Sequence, residues 1–183
     1  MLSPKRRRHP GRERSGGSET EITSPDLAQL SVYTPVFTPD GSRIVFTGFG
    51  ATASIYIVNA DGTGLTQLTT GNWSTGIDVY PSVSADGTQI TFARLNETAE
   101  PCDEQYTCGW DIYTVGIGGE LSGPAATPLT TTEVNSQPRF VNGEIIFISS
   151  PDLSSNSYIF SMNPDGSNPT QLTTAAYLEV FTY

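Results

Sequence analysis

Histidine is all but missing from this chain. The single one, His9, stands among the first fourteen residues. The rest of the chain therefore holds no Ser/His or Cys/His pair for nucleophilic catalysis. It also lacks a G-x-S-x-G elbow, an H-E-x-x-H helix motif and a phosphate-cradling glycine loop. Cysteine is nearly as scarce. Cys102 and Cys108 are the only two, and neither their spacing nor any second ligand pair suits zinc. No apolar run approaches the about 18 residues that a membrane-crossing helix requires. The first residues contain no apolar core, so they do not read as a secretory signal as written. No helix signal of useful length appears anywhere.

Basic residues are few and lie almost entirely at one end. Residues 1–14 carry six of the nine, with one acid, Glu13, for a balance of +5. Residues 15–183 carry three basic and eighteen acidic residues, a balance of −15. That body repels nucleic acid and anionic membranes and attracts cations or basic partners without specificity. Residues 1–24 read as a disordered basic tail, too polar to bury a core. Its Lys5-Arg6-Arg7-Arg8 run could alternatively be a nucleic-acid or localisation patch.

What is present is a phrase written three times. Its copies run Tyr33–Thr70, Tyr80–Thr132 and Ser136–Thr174, with residues 175–183 as the start of a further one. Pro35, Pro81 and Pro138 correspond, 46 and then 57 residues apart. So do Ile55, Ile112 and Ile159, and Leu68, Leu129 and Leu172. Each copy offers four strand signals. The first (A) is Pro35–Thr38 and its equivalents. The second (B) is Arg43–Thr47, Gln89–Ala93 and Glu144–Ile148. The third (C) is Ser54–Val58, Asp111–Val115 and Tyr158–Met162. The fourth (D) is Thr66–Thr69, Thr127–Thr130 and Thr170–Thr173. Short apolar runs such as Ile44-Val45-Phe46 fit strands covered on both faces, as stacked blades require. Residues 26–32 suggest either a leading strand or a short turn.

The turns set the order. Asp40-Gly41, Asp86-Gly87 and Asn142-Gly143 join A to B. Asn59-Ala60-Asp61-Gly62 and Asn163-Pro164-Asp165-Gly166 join C to D. Turn geometry accounts for every one of these Asp residues, so no calcium or other chemistry is assigned to them. The meander places A–B and C–D turns at one end and the variable B–C and D–A loops at the other. Binding residues ride on variable loops over a rigid scaffold, so the second end is the expected functional face.

The pattern P-x-[FV]-[ST]-x-D-G-x-x-[IV]-x-F, then I-Y-x-x-N-x-D-G and a closing L-T, resembles the TolB-like propeller repeat, a relative of the WD repeat. The resemblance spans about Tyr33 to Thr174. Copy three departs with Val141-Asn142-Gly143, and copy two with Gly118-Gly119. The resemblance implies an all-β fold: a β-propeller arc of three four-stranded antiparallel blades. It also implies settings. TolB is periplasmic and works through protein contacts, whereas similar repeats precede the hydrolase domain of prolyl-oligopeptidase-like peptidases. Fold alone does not choose between them.

Candidate site residues follow from the loop face. The first D–A loop brings Trp73 and Asp78, and Trp73 serves equally as a binding surface or as packing between blades. The long insertion 95–110 brings Glu97, Glu100, Asp103, Glu104, Tyr106 and Trp110. A disulfide between Cys102 and Cys108 is the preferred reading, stiffening this loop and implying an oxidising compartment. The alternative is two free thiols in a cytosolic protein. The clustered carboxylates match no calcium-loop pattern and read as a solvated acidic loop. Asn72 and Asn96 begin glycosylation sequons. Paired carboxylates for glycoside chemistry remain open, because such pairs meet only in space.

The sequence thus predicts a non-enzymatic scaffold for a protein partner, periplasmic or extracellular, without cofactor, metal, nucleic acid or membrane insertion. The alternative is the propeller portion of a larger hydrolase. Three blades leave two apolar ends open, which calls for further blades, a second copy, or altered end blades.

Overall fold

The computed structural model describes residue 22 and residues 25–71, 76–96, 109–131, 134–150 and 156–174. A 3-10 turn at Leu27–Gln29 leads into twelve strands. They are β1 (Ser31–Phe37), β2 (Arg43–Phe49), β3 (Ala53–Asn59), β4 (Thr66–Gln67), β5 (Asp78–Val83) and β6 (Gln89–Asn96). Then come β7 (Gly109–Gly116), β8 (Thr127–Pro128), β9 (Val134–Val141), β10 (Glu144–Ser150), β11 (Tyr158–Met162) and β12 (Thr170–Gln171). They form three separate four-stranded sheets, each a simple meander in chain order. Every pairing is antiparallel. These sheets are blades one, two and three of a propeller arc. The first strands crowd together, with β1 beside β5 and β5 beside β9.

The repeated prolines have a physical role that the sequence reading misplaced. They do not open the blades, because the first strands begin earlier, at Ser31, Asp78 and Val134. Each proline sits inside its strand, in a bulge where two residues oppose one. Thr34-Pro35 opposes Phe46, Tyr80-Pro81 opposes Phe92, and Gln137-Pro138 opposes Phe147. The residue before each proline has positive φ: 49° at Thr34, 58° at Tyr80 and 52° at Gln137. A ring that cannot donate belongs where the ladder is already broken.

The fourth strands are shorter than expected, two residues of ladder instead of four. The Leu-Thr phrase explains why. Leu68, Leu129 and Leu172 still donate their N–H to the carbonyls of Ile55, Ile112 and Ile159. The next bond is made by a side chain. The N–H groups of Ile55, Ile112 and Ile159 donate to the hydroxyls of Thr69, Thr130 and Thr173, at 3.0, 2.9 and 3.0 Å. A threonine hydroxyl thus finishes the ladder where the backbone turns away.

The A–B turns fall into two kinds. In blade three Asn142 and Gly143 both have positive φ, 52° and 87°, the signature of a two-residue hairpin. In blades one and two only the glycine is left-handed, and the aspartate's carboxylate is used within the turn. Asp40 accepts from the hydroxyls of Thr38 and Ser42 at 2.6 and 2.8 Å, and these bonds hold its carboxyl down to about 2. Asp86, Asp61 and Asp165 are likewise lowered by neighbouring Ser or Thr hydroxyls. The Asp-Gly pairs are occupied by turn bonding.

Each sheet has a rear face, toward the preceding blade position, and a front face, toward the next. The rear faces repeat one quartet: Ile44, Phe46, Tyr56, Val58; Ile90, Phe92, Tyr113, Val115; Ile145, Phe147, Phe160, Met162. In each the two rings stack, with centroids 5.8, 5.9 and 5.7 Å apart. The rear quartet of blade two packs on Val45, Ile55, Ile57 and Leu68, the front of blade one. That of blade three packs on Ala93, Ile112 and Leu129 of blade two. The rear of blade one is covered by Ile22, Leu27 and Leu30. Ile22, inside the stretch expected to be tail, is thus part of the described packing.

Candidate functional site

At the B–C/D–A end the junction of blades one and two opens into a cleft of about 440 Å³. Ser31, Tyr33, Thr34, Thr47, Phe49, Val79 and Tyr80 line it. Two of these are bulge residues, so the broken ladder brings side chains to the mouth that a regular strand would alternate away. Tyr33 packs edge-on against Phe49, centroids 5.3 Å apart, yet stays 56% exposed. Thr34 and Thr47 pair their hydroxyls at 3.1 Å. The wall is aromatic and aliphatic with hydroxyl edges, suited to a side chain or short segment of a partner.

Behind this cleft lies the strongest electrostatic feature of the described residues. Arg94 on β6 faces Asp78 on β5, its cross-strand partner. Its fork donates to both carboxylate oxygens, Nε to Oδ1 at 2.6 Å and an Nη to Oδ2 at 2.9 Å. Asp78 is 0% exposed and also accepts the N–H of Gly71 at 3.1 Å. A third Arg94 bond, 3.1 Å, reaches Glu120. The guanidinium also stands 5.3 Å from the Phe92 ring centroid and 4.9 Å from that of Tyr113. Burial works against the charge on Arg94, but Asp78 and then Glu120 outweigh it and raise its pKa. Burial also pushes Glu120 up. The hydroxyl and N–H of Thr70, the N–H of Ala126 and Arg94 more than offset it, so the net shift is downward.

Glu120 arrives there because the C–D link of blade two lies along the outer strand of blade one. Its N–H donates to the Leu68 carbonyl at 2.8 Å. Gly119 permits the approach: its φ is +74°, and a Cβ there would sit 2.5 Å from the Leu68 carbonyl oxygen. Copy two's Gly-Gly is therefore a close-approach device as well as a turn.

The candidates from the sequence are distributed unevenly. Asp78 is turned inward and consumed by Arg94 and Gly71. Trp110, paired across the ladder with Leu95, is half-buried and packs with the cluster between blades two and three. Trp73, Glu97, Glu100, Cys102, Asp103, Glu104, Tyr106 and Cys108 lie outside the described residues. The insertion that carries most of them leaves β6 at Asn96 and returns at Gly109, on the cleft's end of the arc. Sequence reasoning missed Tyr33, Phe49, Tyr80, Arg94 and Glu120. One signal was available: Arg94 is one of only three cations in residues 15–183, and a lone arginine among acids invites a search for its counterion.

These observations define an arc of a β-propeller, and comparison with solved structures bears this fold out. The chain is similar to a putative TolB from Agrobacterium tumefaciens, with TM-score 0.62 and 21% identity, covering 79% of this chain and 50% of that one. It is also similar to TolB from Acinetobacter baumannii, with TM-score 0.58 and 19% identity, covering 79% and 33%. A structure from a study of two prolyl endopeptidases matches at TM-score 0.60 and 12% identity, covering 88% of this chain and 25% of that chain. The chain thus spans half or less of the length of these structures. No family model matches it, and neither does any curated protein.

Proposed function

We propose that the chain is a non-enzymatic interaction scaffold that receives a protein partner at the B–C/D–A end. The aromatic cleft between blades one and two carries this reading. It combines exposed apolar surface with a rigid backing, the arrangement that anchors a partner's side chain. Glu97, Glu100, Asp103 and Glu104 of the insertion and the flanking Trp73 form the rim in this reading. The acidic balance of the body favours a basic partner. The setting is periplasmic or extracellular, with Cys102 and Cys108 joined as a disulfide. A thiol count on the unreduced protein tests that last point, and two titratable thiols would refute it.

The test of function is a displayed peptide library panned on the full chain. Enriched peptides should lose about tenfold or more in affinity on Tyr33→Ser or Tyr80→Ser. They should also weaken when residues 97–108 are replaced by a short glycine-serine link. Peptides that bind all three variants unchanged would remove this end from the site.

A second reading has one observation in its favour, the 88% coverage of this chain by the prolyl endopeptidase match. In it the arc docks or gates substrate for a hydrolase domain. A G-x-S-x-G segment on the same polypeptide would support it.

A further inference from the structure

The internal repeat lets the two blade junctions be matched residue by residue, and at one place their contents differ. Between blades one and two that place holds the Arg94 clamp. The guanidinium stands 4.9 and 5.3 Å from the ring centroids of Tyr113 and Phe92. Its carboxylate partners come from Asp78 and Glu120. Thr70, just past the closing Leu-Thr of blade one, holds Glu120 through its hydroxyl at 2.6 Å.

Between blades two and three the same backbone carries other side chains. Through the ladders Asn135 stands for Asp78, Ser149 for Arg94, and Phe147 and Phe160 for Phe92 and Tyr113. By chain order Thr131 stands for Thr70 and Ser167 for Glu120. Ser167 is engaged in its own turn, where its hydroxyl and N–H donate to Asp165 at 2.6 and 2.9 Å. Arginine, aspartate and glutamate have thus given way to serine, asparagine and serine. The frame is kept. A Cβ on Gly166 would meet the Leu129 carbonyl oxygen at 3.1 Å, as one on Gly119 would meet that of Leu68 at 2.5 Å.

Where side chains shorten and the frame stays, space opens. The cleft here is about 340 Å³, lined by Thr130, Thr131, Asn135, Ser149, Phe147 and Phe160 among others. That is the small end of the range of about 300–1,000 Å³ for small-molecule sites. Asn135 and Ser149 are buried, 2% and 1% exposed. Both make other contacts within the fold. An amide and a hydroxyl each have more than one bonding position, so such contacts do not exhaust them. None of the described lining residues is charged. Behind the wall, Thr130 donates to the carboxyl group of Asp111 at 3.0 Å. The body around it balances at −15.

This lining suits a group that donates hydrogen bonds, lies flat, and is drawn to ring faces and negative surroundings. A guanidinium is planar, carries donors and no acceptor, and is attracted to aromatic faces. The chain displays the fit itself, since Arg94 places that group against the corresponding ring pair. We propose that the cleft between blades two and three binds the guanidinium group of a ligand. The group lies over the Phe160–Phe147 pair, with the Asn135 amide oxygen and the Ser149 and Thr131 hydroxyls as acceptors. This site is separate from the aromatic cleft between blades one and two.

The probe is n-propylguanidinium, which reproduces the arginine side chain. It is titrated into the full chain and followed by amide NMR at about 0.15 M salt, where general attraction to the acidic surface is largely screened. Saturable shifts should centre on Asn135, Ser149 and Phe160, with half-saturation at about 1 mM. The neutral isostere n-propylurea should bind at least about tenfold more weakly. Asn135→Asp supplies the acid that the other junction uses and should tighten binding about tenfold. Ser149→Arg fills the cleft from within and should abolish binding. Combined with Asn135→Asp, that arginine gains its counterion, so the loss can be read in a variant with a cooperative melt. A capped Gly-Arg-Gly peptide separates two sources of the group. Tighter binding than the probe marks a peptide arginine, and weaker binding marks a free small molecule. The proposal is overturned by no saturable shift at these residues up to about 20 mM, or by equal binding of the urea. Binding unchanged in the double variant, or no tighter with Asn135→Asp alone, overturns it equally.

Discussion

The two internal blade junctions are built from the same repeat and are fastened differently. Between blades one and two the apolar layer is closed by Phe92, fully buried, and backed by Arg94 clamped between Asp78 and Glu120. Between blades two and three the ring pair is Phe147 over a half-buried Phe160. Across that junction Ser82 Oγ accepts the Phe140 N–H at 3.0 Å, and Arg139 donates to the Pro81 carbonyl at 3.4 Å. A cleft of about 340 Å³ also enters that junction, lined by Leu129, Phe147, Phe160 and Met162 among others. With the Arg94 clamp at the first junction, the arc is expected to loosen first at its third blade.

Seven substitutions, at four kinds of contact, test that inequality. The largest effect is expected from Phe92→Ala, about 3–5 kcal/mol in a denaturant melt, for a fully buried ring. Phe147→Ala, at the corresponding position of blade three, should cost less, about 2–4 kcal/mol. Equal losses would erase the distinction. Next is Arg94→Met, which leaves the carboxylate of Asp78 inside without a cation. About 2–4 kcal/mol is expected, given that Arg94 retains some solvent contact. Arg94→Lys should fall between, keeping charge but losing the fork. A melt of Arg94→Met unchanged from wild type would show that the clamp contributes nothing.

Thr69→Val comes third. It keeps the shape but orphans the N–H of Ile55, for about 1–3 kcal/mol. Thr173→Val at the looser blade should cost less, because the last ladder there is more exposed. Glu120→Gln is the smallest, about 1 kcal/mol or less near neutral pH, and its signature is the pH profile. The Glu120 carboxyl is lowered from the ordinary 4.5 in the folded protein, so its contribution is present above that value. It is lost as pH falls through the lower folded value. The melting difference between wild type and Glu120→Gln should therefore shrink on acidification below about 4.5. A difference that persists unchanged at pH 2 would separate Glu120 from the clamp.

Much of this architecture was legible because it is local. Ile-x-Phe in the second strand, the Asp-Gly turns and the closing Leu-Thr each specify geometry within a few residues. The clamp was not legible, because Asp78, Arg94 and Glu120 are separated by 16 and 26 residues and meet only when the blade-two link folds over blade one. Ile22 was hidden for another reason. It lies in polar surroundings beside a basic stretch, and that composition reads as tail. The prolines were noticed for their period, but their position inside a bulge depends on cross-strand register, which periodicity does not reveal.

The bulge ahead of each proline has one more implication. Thr34, Tyr80 and Gln137 share a single left-handed backbone setting while differing completely in side-chain character. The scaffold therefore offers interchangeable fittings on a fixed mount. Chemistry at the inner mouth can be exchanged blade by blade with the ladders on either side left in place, and an evolving or engineered binder could be tuned there one letter at a time.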